Sequence, residues 1–421
     1  MRYRPSARED TIENKLWKNR DYMLLWGAQV VSTLGSAASS IVYPLLILAL
    51  TNSPSAAGIA SALRVAPYLV FCIPVGALID RWDRKRVMIV CDIGRLIAVL
   101  CIPLAIWLDV LALWQIYLVC LVEGSFFVFF NIAEVAALPR VVPLQQLPEA
   151  TAQNQAAFNA AQVAGPSIGT MLFQTLGRSA PFVFDALSYL ASAVSLALIR
   201  SPLRQDAPAS AGKLGAQIAE GLHWLWSRPL IRTMAFLTGG INFIYAATPL
   251  IMIVIGKQLG ASDVDIGLMF SIGGIGGVLG SLVGGRIQRR FSFGQVIVFI
   301  VWAQAILFPL YLLVPNVFLL GAVYALIYMM SPVFNVVQFS YRVALIPDAL
   351  QGRVNSVFRL LAHGFNPLGA AACGVLLEHA GALWTVVLFA ASYLMLAVLT
   401  TFSRDVRHAP ALHAERALAS Q

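Results

Sequence analysis

Residues Gly76-Ala77-Leu78-Ile79-Asp80-Arg81-Trp82-Asp83-Arg84-Lys85-Arg86 set six charges between two long apolar runs. A burst of this kind reads as a short cytoplasmic loop pinned between two membrane helices. Gly76 has no Cβ and allows two helix ends to approach where the chain reverses. Asp80, just below the hydrocarbon, is placed to accept from a neighbouring helix N-terminus or to pair with an arginine, latching two bundles together. Arg81, Arg84, Lys85 and Arg86 form a basic cluster held inside by the positive-inside bias and anionic headgroups. Charges alone suit any loop between spans, but a glycine and an aspartate at this spacing point to a gating loop.

Outward from this loop, the 421 residues are 59% hydrophobic and 12% charged, with a mean hydropathy of +0.77, well outside the soluble range. Twelve apolar runs can cross about 30 Å of hydrocarbon, at roughly 22–50, 55–79, 87–108, 112–136, 151–176, 180–200, 229–256, 264–287, 293–313, 316–338, 354–378 and 382–402. With both termini inside, the inner side collects 24 of the 29 Lys and Arg residues, the outer connections hold Arg178 and Lys257, and Arg64, Arg95 and Arg359 fall within spans. That split sets a multi-pass topology in a plasma (inner) membrane with both termini cytoplasmic. It also accounts for the net charge of +9 without a nucleic-acid partner.

The expected domains are a cytoplasmic N-terminus 1–21, a six-helix bundle 22–200, a cytoplasmic linker 201–228, a second six-helix bundle 229–402 and a tail 403–421. In the linker, Leu214, Ile218, Leu222 and Leu225 recur opposite Lys213, Gln217 and Glu220, which predicts an amphipathic helix on the inner membrane face. The halves repeat. Gly76, Ile79, Arg81, Ala136 and Pro139 return as Gly284, Ile287, Arg289, Ala344 and Pro347 at an offset of 208, and Gly35, Pro44 and Leu45 return as Gly240, Pro249 and Leu250 at 205. Six spans per copy is even, so the copies run parallel. The fold expected is an all-α membrane protein, twelve transmembrane helices in two parallel six-helix repeats with a site between them near the midplane.

No enzyme motif, P-loop or metal-ligand spacing stands out among the five histidines and five cysteines, so neither catalysis nor a cofactor is expected and an ion gradient is left as the energy source. The first twenty residues lack the apolar core of a signal peptide, so the first span is expected to direct insertion.

The loop at 76–86 resembles the signature between helices 2 and 3 of the major facilitator superfamily, usually Gly-x-Leu-Ala-Asp-Arg-x-Gly-Arg-Lys, with Asp83 standing where the pattern has glycine. A finer likeness is to its bacterial exporter branch of macrolide-efflux proteins and enterobactin-type siderophore exporters. It is carried by Asn19–Trp26 running into Ser32–Gly35, the Asp92/Arg95 pair, Ala137–Pro139 with Val142–Pro143, Glu220–Trp226 and Gln351–Val354. Gly165-Pro166-Ser167-Ile168-Gly169 resembles the Gly-Pro-x-x-Gly core of the antiporter signature, with Ala161 in place of the usual upstream glycine.

The resemblance covers residues 15–402 and implies that spans 1, 4, 7 and 10 line the cavity. Those spans do carry polar and aromatic stripes. Gln29, Ser32, Ser36 and Ser40 lie on span 1, Glu123, Phe127, Asn131 and Glu134 on span 4, and Asn242 and Tyr245 on span 7. Tyr324, Tyr328, Ser331, Asn335 and Gln338 lie on span 10. Ser and Asn also serve as interhelical glue in dry packing, but aligned tyrosines with amides on one face favour a lined cavity.

A charge inside a span needs a partner or a function. Glu123 lies eleven residues into span 4, about 16 Å deep by helical rise, where a carboxyl can alternate between protonated and ionised forms. A permanent ion pair with Arg64, at comparable depth in span 2, is the alternative reading, and where that pair exists, breaking it on protonation is one way to couple transport to protons. Asp92 and Arg95 share a face of span 3, where mutual neutralisation near the inner gate stands beside a part in proton coupling. Asp185 reads equally as a packing, gating or coupling residue, and Arg359 and His363 share a face of span 11. The function expected is secondary transport, proton-coupled efflux of amphipathic or aromatic molecules by a monomer. The alternatives are a dedicated exporter of an endogenous metabolite such as a siderophore, whose anionic charge would favour Arg64 and Arg95 as ligands, and a membrane sensor that binds without moving its ligand.

Overall fold

A computed structural model describes residues 16–79, 81–203, 214–347 and 350–407. Asp80 and Lys213 lie outside the described residues. The regular structure among the described residues is helical: α1 Arg20–Thr51, α2 Pro54–Val65, α3 Pro67–Ile79, α4 Arg84–Trp107, α5 Leu113–Val141, α6 Leu147–Thr175 and α7 Ala180–Ala197. After these come α8 Leu214–Ser227, α9 Pro229–Gln258, α10 Asp263–Arg290, α11 Phe293–Leu307, α12 Val317–Leu345, α13 Gln351–Gly364, α14 Asn366–Phe402 and the short α15 Arg404–Arg407.

Ten helical segments among the described residues are long and apolar enough to cross a membrane, which makes this a multi-pass membrane protein. Two of the twelve expected spans are not separate members of that group. Helix α6 opens with Glu149, Gln153, Asn154 and Gln155, which dilute its apolar character. The runs expected at 354–378 and 382–402 join into one segment, Gln351–Phe402, interrupted at Phe365 between α13 and α14 and at Gly381, whose φ of 74° is left-handed and suits a residue without Cβ.

Local chemistry sets the breaks. Asn19 caps α1, its Oδ1 accepting from the Tyr22 amide at 3.1 Å, and Asn52 ends that helix at φ 53°. Pro67 cannot donate a backbone N–H, so the second span divides into α2 and α3 beside it. Asp83 caps α4 by accepting from the amides of Lys85 at 2.9 Å and Arg86 at 3.3 Å, which is a role for a carboxylate at the position where a glycine is usual.

Helices α1–α7 pack chiefly on one another, as do α9–α14, and the two sets meet where α2 lies on α14 and α6 on α10. The side on which α1 begins is the near side, and the opposite is the far side. Hydrogen bonds that stitch the sets lie toward the far side. Glu378 accepts from the Ser53 hydroxyl and from the Ser55 amide at 2.9 Å, Ser167 meets Ser271 at 2.6 Å, and Gln174 accepts from Val264 at 3.1 Å. On the near side α8 lies against α13 and α9, with Leu225 buried and Glu220 bound to Arg353 at 2.5 Å.

Candidate functional site

The first helix set encloses a polar network that links five helices. Glu123 of α5 is 1% exposed; its Oε1 accepts from Arg64 Nη2 of α2 at 2.7 Å and from the Tyr189 hydroxyl of α7 at 3.2 Å. Its Oε2 accepts from the Tyr43 hydroxyl of α1 at 3.1 Å. Arg95 of α4 donates to Tyr189 at 2.7 Å and to Ser36 at 3.0 Å. Its guanidinium sits 3.9 Å from Glu123 and 3.8 Å from Asp92, and 4.0 Å over the Tyr189 ring. Asp92 also accepts from Ser192 at 2.5 Å, and Asp185 from Ser39 at 2.5 Å. Thus the expected coupling residues Arg64, Asp92, Arg95 and Glu123 come together, and Asp185, buried one turn from Tyr189 on α7, is held beside them by Ser39.

The backbone makes room for this. A Cβ on Gly124 would run into the Arg64 carbonyl oxygen, so the glycine beside Glu123 lets α2 close on α5 and brings the ion pair within reach.

A central cavity of about 340 Å³ lies between the two sets. Arg64 and Tyr43 wall it from the first set, and Tyr324 and Tyr328 from the second. Tyr324 stacks on Tyr328 at 5.6 Å between ring centroids, and Tyr328 on Tyr245 at 5.8 Å, an aromatic ladder of the kind that receives flat apolar ligands. Gly273 and Gly277 of α10 seat the Tyr324 and Tyr328 rings, because a Cβ at either would strike them. The network and the cavity therefore share a wall at Arg64 and Tyr43.

A family model described as a transmembrane secretion effector matches residues 17–419. The chain belongs to this family, within the major facilitator superfamily. It is a transporter family, not a family of enzymes. The chain is similar to the multidrug efflux pump Tap of Mycolicibacterium fortuitum, 25% identical over 407 residues, with 93% of this chain and 97% of that one covered. It is also similar to macrolide efflux protein A of Streptococcus pyogenes, 26% identical over 190 residues, 45% of this chain and 47% of that one. Among solved structures it resembles the nucleoside transporter NupG (TM-score 0.77, 14% identity, 91% of this chain and 100% of that one), a likeness of fold alone.

For this transporter the expected cavity residues separate into groups. Tyr324 and Tyr328 line the central cavity, whereas Asn242, Tyr245 and Asn335 line a second cavity within the second helix set. Ser36 is turned away from both and is held by Tyr189 and Arg95, which corrects its expected place on the cavity wall. Gln29, Ser32, Phe127 and Asn131 line neither cavity; Ser32 is buried among helices, and Phe127 lies 5.7 Å under Arg95.

The 76–86 loop is partly structural. Lys85 donates to the carbonyls of Ala197 at 2.9 Å and Ile199 at 2.7 Å, closing the end of α7. Arg84 is buried and donates to the Ala136 carbonyl at 2.9 Å, while Arg81 lies at the near end of a groove with Trp82 and Phe129. Gly76 sits inside α3, and a Cβ there would meet nothing within 4 Å. Close approach of helix ends is not its role. Gly165 and Gly169 do pack closely, seating α6 on Ala37 and Ala38 of α1, and Pro166 between them lines the central cavity.

Sequence reasoning missed Tyr43, Tyr189 and the serines that bind Asp92 and Asp185. The available signal was the polar stripe Asp185, Ser188, Tyr189 and Ser192 on α7, spaced at three and four residues.

Proposed function

We propose that the protein is a secondary exporter that uses inward proton movement to expel amphipathic or aromatic small molecules. In this reading twelve crossings form two parallel six-helix bundles, 22–200 and 229–402, with α6 and the two arms of Gln351–Phe402 completing the number. The Lys/Arg-rich near side is the cytoplasmic face of a plasma (inner) membrane and carries both termini. Far-side stitching then closes the outer gate, so the described conformation faces inward. The drug and macrolide efflux named for its relatives supports the direction, and the monomer is the working unit.

One observation carries the coupling. Glu123 binds Arg64 and Tyr43, which wall the cavity, while reaching Arg95 through Tyr189. Asp92, Glu123 and Asp185 set three buried carboxylates against two arginines, Arg64 and Arg95, and a buried cluster costs least at zero net charge. One proton supplies that balance. Gain or loss of this proton changes how firmly Glu123 holds Arg64, and so changes the charge that the cavity presents to its ligand.

The test is transport by the purified full chain in liposomes, with ethidium and 2-naphthoate as probes, with and without an imposed pH gradient. Gradient-dependent movement of at least one probe is expected, and Glu123→Gln should abolish the dependence. Equal rates with and without the gradient in the wild type would overturn proton coupling.

A further inference from the structure

The cavity of about 290 Å³ inside the second helix set has no part in the proton network. Its basic lining is Arg342 of α12 with Arg359 and His363 of α13; among the described residues no carboxylate lines it. Arg342 is 8% exposed, its guanidinium lies 3.9 Å over the Phe358 ring, and its Nε has no hydrogen-bond partner. A cation in the last turn of a helix is favoured by the helix dipole, which accounts for the charge but not for its burial without a partner. Arginines so placed ordinarily extend to water or meet a carboxylate. Among the described residues Arg342 meets no carboxylate.

Arg359 stands at the seam between the sets, 5.8 Å over the ring of Tyr68 on α3, and the His363 ring meets that same tyrosine at 5.8 Å. In the first set Arg64 and Arg95 are engaged by Glu123 and Asp92. Among the described residues, an anion entering the protein therefore meets arginines already engaged by carboxylates in the first set and two that face no carboxylate in the second.

We propose that this cavity is an anion-recognition subsite: the transported molecule carries a carboxylate, phosphate or sulfonate that Arg342 and Arg359 receive, beside an aromatic or apolar body that packs on the aromatic lining of Tyr245, Phe334 and Phe339. Guanidinium groups bind such heads through paired, charge-assisted hydrogen bonds. The inference rests on the export reading and names its substrate class. It moves anion recognition from Arg64 and Arg95, where the sequence alone suggested it, to the other helix set.

An anionic lipid headgroup offers the same chemistry as a soluble anion, so the test separates them. The purified full chain is placed in phosphatidylcholine nanodiscs, with and without phosphatidylglycerol, and binding of radiolabelled 2-naphthoate, 2-naphthyl phosphate and 2-naphthylmethylammonium is measured by equilibrium dialysis. At least one anion should bind about tenfold more tightly than the ammonium probe, and Arg342→Gln and Arg359→Gln should each lower its affinity by about tenfold while sparing the ammonium probe. Arg342→Lys, which keeps the charge, should recover part of the loss. Absence of anion preference in the wild type, including no binding of any probe, would overturn the proposal, as would a preference that survives both substitutions. Anion binding that phosphatidylglycerol suppresses would assign the site to a headgroup and overturn the substrate assignment. Binding is read without transport: a chain that prefers anions but moves none contradicts export alone, and one that exports ethidium with no anion preference contradicts this inference alone.

Discussion

In the first helix set Arg64 and Arg95 share Glu123, and Arg95 also faces Asp92; in the second, Arg342 is buried against Phe358 with no carboxylate beside it among the described residues. At the offset of 208 that relates Gly76 to Gly284, Glu134 of α5 falls on Arg342 of α12. Equivalent places thus carry opposite charge. A paired, hydroxyl-rich network can hold or release a proton without admitting a ligand, whereas an unpaired arginine in a cavity is completed by one. On the export and anion readings proposed above, this difference becomes a division of work, with protons handled in the first set and the anionic group of the ligand recognised in the second.

Stability should separate the two sets most strongly. Arg64→Gln strips Glu123 of its nearest cation in a buried site, and the expected loss is about 3–5 kcal/mol, seen as a lower melting temperature of the purified protein. Arg342→Gln orphans no carboxylate among the described residues and gives up a cation–π contact with Phe358, so the expected loss is smaller, about 0.5–2 kcal/mol. Comparable losses in the two variants would erase the contrast.

Packing gives a middle-sized test. Gly124→Val drives a side chain into the Arg64 carbonyl and should cost about 1–3 kcal/mol while weakening pH-gradient dependence in liposomes. Retention of full coupling would show that the close approach of α2 to α5 does not hold the ion pair.

The smallest effect is expected at Gly76, which faces open space inside α3. Gly76→Ala should raise stability by about 0.5–1 kcal/mol through helix propensity, measured in the same melts. A marked loss would restore the helix-approach role that the loop pattern suggested.

Much of this architecture is legible in the amino-acid sequence. Apolar runs locate the helices because crossing hydrocarbon demands length and apolarity together, and comparable depth makes the Arg64–Glu123 pair one of two readings open to the sequence, because an intramembrane charge needs a partner or a function. What the sequence hides depends on helix rotation. Ser36 sits on a stripe that suits a cavity wall, yet it turns toward Tyr189 and Arg95. Tyr43 and Tyr189 look like packing residues until Glu123 is seen between them. Arg342 reads as one more basic residue near a span's end, and only its seat on Phe358 shows it to be buried.

The division of work is tested most directly by measuring both properties in one preparation: pH-gradient dependence of probe movement in liposomes, and the preference for 2-naphthoate over 2-naphthylmethylammonium. Glu123→Gln should lose the gradient dependence and keep the preference; Arg342→Gln should lose the preference and keep the gradient dependence. If either variant loses both, or the losses are exchanged, protons and ligand are not handled by separate helix sets.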